Sequence, residues 1–75
     1  MDWFLMFERM ERLHIKHGIY DDEYKVVYRA DHDVTDEEVN DLIKERYSDY
    51  PVVDVSYRIV DGNELHVFYK TDCYD

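Results

Sequence analysis

The stretch DWFLMFERMERLHIKH, Asp2 to His17, decides how the rest of this chain is read. Trp3, Met6, Phe7, Met10 and Leu13 recur at steps of three and four residues, the spacing of one face of an α-helix. Glu8, Arg9, Glu11, Arg12 and Lys16 fall mostly on the opposite face. Asp2 is placed to cap the N-terminus and Gly18 to stop the C-terminus. Phe4 and Leu5 widen the apolar face, toward a second surface of the domain or toward a partner. The stretch therefore predicts a first helix over 2–17.

Beyond it, Asp21, Asp22 and Glu23 read as a turn. Tyr24 to Ala30 alternates, with Tyr24, Val26, Tyr28 and Ala30 on one face and Lys25, Val27 and Arg29 on the other, which predicts a half-buried strand. Thr35 followed three residues later by Glu38 is a capping box, and Val34 with Val39 makes a hydrophobic staple. A second helix follows, with Val39, Leu42, Ile43 and Tyr47 as its buried stripe, and Ser48 to Pro51 end it. Val52 to Val60 and Glu64 to Lys70 form a hairpin. A three-residue loop, Asp61 to Asn63, pairs Ile59 with Leu65, Tyr57 with Val67 and Val55 with Tyr69. A two-residue loop would instead put Leu65 beside Arg58, so parity selects the longer one.

The predicted fold is a single α+β domain over 1–75 in the order α-β-α-β-β. Its three-stranded mixed sheet runs in the order 1-3-2, with two helices on one face. The strand-helix-strand crossover makes the first two strands parallel. Lys25, Val27, Arg29, Val52, Ser56, Arg58, Val60, His66 and Phe68 fall on the opposite sheet face, mixed in character but apolar enough to meet a partner.

The chain has 75 residues, with 9 Lys and Arg against 19 Asp and Glu, for a net charge of −10. Such a charge repels a polyanion, so direct DNA or RNA binding is not expected. Aromatic residues make up 16% of the chain, eight of them Tyr, unlike a disordered acidic tail. Cys73 is alone, which excludes a disulfide framework and points to the cytoplasm. The longest apolar run, Trp3 to Phe7, is too short to span a bilayer, and no basic segment precedes it as in a signal peptide.

Candidate chemistry is sparse. Asp31 and Asp33 suggest a calcium loop, but the positions that should hold Gly and a bidentate Glu hold Asp36 and Leu42. His14 and His17, three apart on the predicted first helix, are spaced to share a metal. No third ligand is evident, and the favourable placing of a cation near a helix C-terminus accounts for them without one. Cys73 with His66 makes a poor nucleophile pair so near the chain end. No phosphate-binding loop or nucleophile elbow is present. No catalytic residue, cofactor or metal is assigned, and no enzyme is expected. Tyr24, Tyr28, Tyr47, Tyr57 and Tyr69 read as core, whereas Tyr20, Tyr50 and Tyr74 fall in loops or at the end, where an exposed Tyr suits a partner contact.

The acids are unevenly placed. Residues 31–51 hold eight acids and two bases, so they carry −6 of the −10. Glu37, Asp41 and Glu45 lie four apart on the second helix, forming a row of like charges roughly 5–6 Å from one to the next. Asp36 joins them on the outward face, with Asp31, Asp33 and Asp49 extending the row at its ends. Fixed negative charges on a rigid support imitate a phosphate backbone.

In size, acidity and Tyr/Asp richness the chain is similar to small acidic inhibitors of bacterial viruses and mobile elements, among them anti-CRISPR proteins and DNA-mimic inhibitors of repair or restriction enzymes. It shares no signature residues with them. The similarity implies a phage-type, cytoplasmic, non-enzymatic inhibitor. Its partner would be a basic nucleic-acid-binding protein, such as a CRISPR effector, nuclease or repair enzyme, and it would bind neither nucleic acid nor membrane. The contact residues would be Asp31, Asp33, Asp36, Glu37, Asp41, Glu45 and Asp49. An ordinary interaction module, homodimeric or antitoxin-like, would instead bind through Val27, Val60 and Phe68 on the open sheet face, or through Phe4 and Leu5.

Overall fold

Strand pairing, not helix formation, claims the first stretch. The computed structural model describes residues 7–72. In it Phe7–His17 is a strand, β1, paired antiparallel with β2 at Asp21–Ala30. The expected helix is corrected over 7–17, and its first turns at 2–6 lie outside the described residues. The cause is visible in the register. Glu8 stands opposite Arg29 and Lys16 opposite Glu23, so two of the five charges that looked like one helix face stand across the ladder from opposite charges, while Arg9, Glu11 and Arg12 stand opposite Tyr28, Val27 and Val26. Of β1 only Phe7 is buried, and Met10, Leu13 and Ile15 remain exposed.

Two irregularities hid this strand. The register slips between Arg9 and Glu11 and again between His14 and Lys16, leaving Met10 and Ile15 as extra residues. One face of β1 consequently reads Phe7, Arg9, Arg12, His14 and His17, mixing steps of two and three. Gly18, taken as a helix stop, instead closes the β1–β2 hairpin. Its N–H donates to the Asp21 carbonyl at 2.7 Å, and a Cβ there would come within 2.7 Å of that oxygen.

After β2 come α1 (Asp36–Arg46), β3 (Val52–Val60) and β4 (Glu64–Asp72). The sheet has four antiparallel-paired strands in the order β1-β2-β4-β3, and the described residues hold a single helix. This replaces the expected three-stranded sheet with two helices. The β3–β4 register pairs Ile59 with Leu65, Tyr57 with Val67 and Val55 with Tyr69, as parity required. In the loop Asp61 has φ 55 and Gly62 φ 81. Gly62 is needed twice over, because a Cβ would also lie 2.9 Å from Asp33 Oδ1. The same turn holds the β2–α1 connection: Ala30 N–H donates to the Asn63 carbonyl at 2.9 Å and Val34 N–H to the Gly62 carbonyl at 2.7 Å.

The core lies between α1 and one sheet face. Val39, Leu42 and Tyr47 from the helix side meet Val26, Tyr28, Ala30, Leu65, Val67 and Tyr69, with Phe7 and Val34 closing one end. Tyr24, Ile43 and Tyr57 pack against this cluster from its edges. Val52 joins them rather than the open face, because an extra residue at Val53 reverses the parity of β3 there.

Candidate functional site

The acids gather around α1, and local chemistry fixes how that helix begins. Thr35 Oγ1 accepts from the Glu38 N–H at 3.3 Å, and the Thr35 N–H donates to Glu38 Oε1 at 3.0 Å, completing the capping box. The other Glu38 oxygen meets His32 Nε2 at 2.6 Å, while His32 Nδ1 meets Asp31 Oδ1 at 2.8 Å. His32 thus bridges two carboxylates and ties the end of β2 to the first turn of α1. Its hydrogen bonds to Asp31 and then Glu38 raise its pKa. Asp31 is lowered in return, chiefly by the His32 hydrogen bond. Burial pushes the Glu38 carboxyl up, but the Thr35 N–H, His32 and the Thr35 hydroxyl together hold it below its ordinary value.

The seven candidate acids divide by what holds them. Asp31 is engaged by His32. Asp36 accepts a hydrogen bond from the Tyr57 hydroxyl at 2.9 Å, which raises the phenol's pKa. Asp36, Glu37 and Glu38 occupy the first turn of α1, where the helix dipole favours negative charge, and Lys44 and Arg46 occupy the last. That much of the charge serves the helix itself.

Asp41 and Glu45 lie past the first turn, in line with Glu37, where like charges four apart repel. No described residue pairs with the carboxylates of Glu37, Asp41 or Glu45. Glu37 and Glu45 are exposed and Asp41 is half-buried. Asp33 is exposed beside the Gly62 turn. Asp49 is exposed beyond the C-terminus of α1, its carbonyl accepting from the Val52 N–H at 3.0 Å. The structure therefore groups Asp31, Asp33, Asp36 and Glu37 at the start of an 11-residue helix and sets Asp49 past its far end. That is roughly 16 Å along the axis.

On the opposite sheet face Val27 is already buried, at 9% exposure, and Val60 and Phe68 are half-buried, with Lys25 Nζ 5.6 Å from the Phe68 ring centre. Phe4, Leu5 and Cys73 lie outside the described residues, and His66 Nε2 is within 3.0 Å of Glu64 Oε1. The His32 bridge and the Tyr57–Asp36 bond went unread in the sequence. Asp31 and Asp33 stood out there as a failed calcium loop and as one end of the acidic row, and His32 between them was given no role. His14 and His17 are on strand β1, not on a helix, and the hairpin brings Asp22 to them.

No family model, no curated protein and no solved structure matches this chain, whose described residues form a four-stranded sheet with one acidic helix on one face. No helix among the described residues is long and apolar enough to cross a membrane.

Proposed function

We propose that this protein is a non-enzymatic binding module whose acidic α1 face occupies the nucleic-acid groove of a basic protein, such as a nuclease, repair enzyme or CRISPR effector. The observation that carries this reading is the row Glu37, Asp41 and Glu45. It is unpaired by any described residue and stands on a helix anchored by Val39 and Leu42, both fully buried. Such a helix cannot collapse its charges onto the partner's surface, so they stay at fixed spacing. A groove lined by Lys and Arg to neutralise phosphates finds the same sign of charge there. Asp33 and Asp49 widen the contact at each end. Asp31 contributes less while His32 is protonated, because the imidazolium between Asp31 and Glu38 cancels part of their charge.

The mechanism is occupancy. The net charge of −10 speeds encounter with a basic partner, and short-range pairs on α1 hold the complex. The alternative surface of Val27, Val60 and Phe68 offers less, since its central valine is covered by its own neighbours.

The test compares two baits in a bacterial lysate at low salt, the wild-type protein and the triple variant E37K/D41K/E45K. All three positions lie off the core, so the variant keeps its fold, which circular dichroism checks. The wild type should retain nucleic-acid-binding proteins that the variant loses. Equal recovery by both baits would remove α1 from the interface.

A further inference from the structure

The tip of the β1–β2 hairpin carries a second constellation, independent of the acidic helix. His17 stands directly opposite Asp22 across the ladder, and His14 stands opposite Tyr24. In a regular strand, residues three apart face opposite sides of the sheet. The extra residue at Ile15 cancels that alternation and turns both imidazoles to the side carrying Asp22 and Tyr24. His17 Nδ1 lies 2.6 Å from Asp22 Oδ1, and His14 Nε2 lies 3.4 Å from the same oxygen. All three donor atoms fall within 4.8 Å of one another.

We propose that His14, His17 and Asp22 form a site for a divalent d-block cation, Zn²⁺ or Ni²⁺ in kind. Two imidazoles and one carboxylate suit these ions and suit Ca²⁺ or Mg²⁺ poorly, since those hard cations take oxygen ligands. Zn–N and Zn–O bonds of about 2.0–2.1 Å in tetrahedral geometry set donors about 3.3 Å apart. The His14–Asp22 separation already matches. The His17–Asp22 contact opens by about 0.7 Å to reach that spacing, once the proton it shares is displaced by the metal.

The surroundings support a held site. The Asp22 side chain is only 14% exposed. The His14 ring stacks on Tyr24 at 4.8 Å and 17°, which fixes its plane, and Arg12 sits over the other partner of that stack, 4.9 Å from the Tyr24 centre. His17 meets His14 edge-on at 5.9 Å and stays 76% exposed, so the ion has an entry path and water completes its shell. A bound ion would pin the exposed hairpin tip, linking β1 to β2 through side chains as well as backbone.

The test uses untagged full-length protein cleared of metal by chelator, titrated calorimetrically with Zn²⁺ and with Ni²⁺. The expected result is 1:1 binding that weakens at least tenfold in both H14A and H17A and in D22N, is unchanged in H66Q, and is absent with Mg²⁺. Histidine ring signals of positions 14 and 17 should shift while that of His32 does not. The two histidines are outside the core, so their variants fold, and a matching amide spectrum verifies it. Saturable binding that survives both histidine variants, or no saturable binding below millimolar metal, would overturn the site.

Discussion

Two hydroxyls and one imidazole carry much of the molecule's local character. Tyr28 is 2% exposed, and its hydroxyl meets the hydroxyl of Tyr47 at 2.5 Å. Burial, and then this bond, pushes the Tyr47 phenol far above its ordinary range. Tyr47→Phe leaves the Tyr28 hydroxyl buried without its partner and should cost about 1–3 kcal/mol in urea unfolding. Adding Tyr28→Phe removes the stranded group as well and should recover most of that loss, giving a clear non-additive cycle. His32 answers to pH. Its folded pKa is raised from 6.5, so its stabilisation is complete below 6.5 and is lost as pH climbs through the raised value. Asp31 and Glu38 are lowered from 3.8 and 4.5, so their part is complete above 4.5 and is lost as pH falls through the lowered values. The bridge is therefore strongest between about 4.5 and 6.5. An NMR titration should place the His32 ring above 6.5, and Thr35 and Glu38 amides should exchange faster on the alkaline side of it. A His32 midpoint at or below 6.5 would contradict the bridge.

Among the elements, α1 depends on its cap. Thr35→Ala should lower stability by about 1 kcal/mol, read in the same unfolding assay. Strand β4 is paired on both sides and holds Leu65 and Val67 at full burial, whereas β1 is an outer strand with one buried residue. Hydrogen exchange should accordingly be slowest at β4 and fastest, among the strands, at the solvent edge of β1. The capped helix and most of the β3–β4 hairpin were legible in the sequence because each keeps one period there, with Thr35, Glu38 and the odd-numbered apolar residues of 55–69 marking them; the slip at Val53, which turns Val52 to the core, was not legible. Nor was β1. Its apolar residues Phe7, Met10 and Leu13 keep helical spacing, and the extra residues at Met10 and Ile15 erase the alternation of two that would have announced a strand. The same slip concealed the hairpin-tip cluster. The three-residue spacing of His14 and His17 was visible, but Asp22 becomes their neighbour only once β1 folds back on β2. Glu37, Asp41 and Glu45 keep the helical spacing expected of them because they sit on the helix whose sequence signals were strongest.

For the whole molecule, the charge of −10 is a cost of folding and the source of its proposed activity. Raising salt from about 0.01 M to about 1 M shortens the screening length from ~30 Å to ~3 Å. The melting temperature should rise across that range, while affinity for a basic partner should fall. Neutralising the two acids of the row that lie past the first turn, with D41N/E45Q, should raise stability for the same reason and weaken binding together with it. The most direct measurement takes a basic partner recovered on the wild-type bait, loads it with labelled duplex DNA or RNA, and titrates in the protein at two salt concentrations. Occupancy of the groove predicts stoichiometric displacement of the nucleic acid, weaker at high salt and lost in E37K/D41K/E45K. A stable ternary complex with the nucleic acid still bound, or undiminished displacement by the charge-reversed variant, would contradict it.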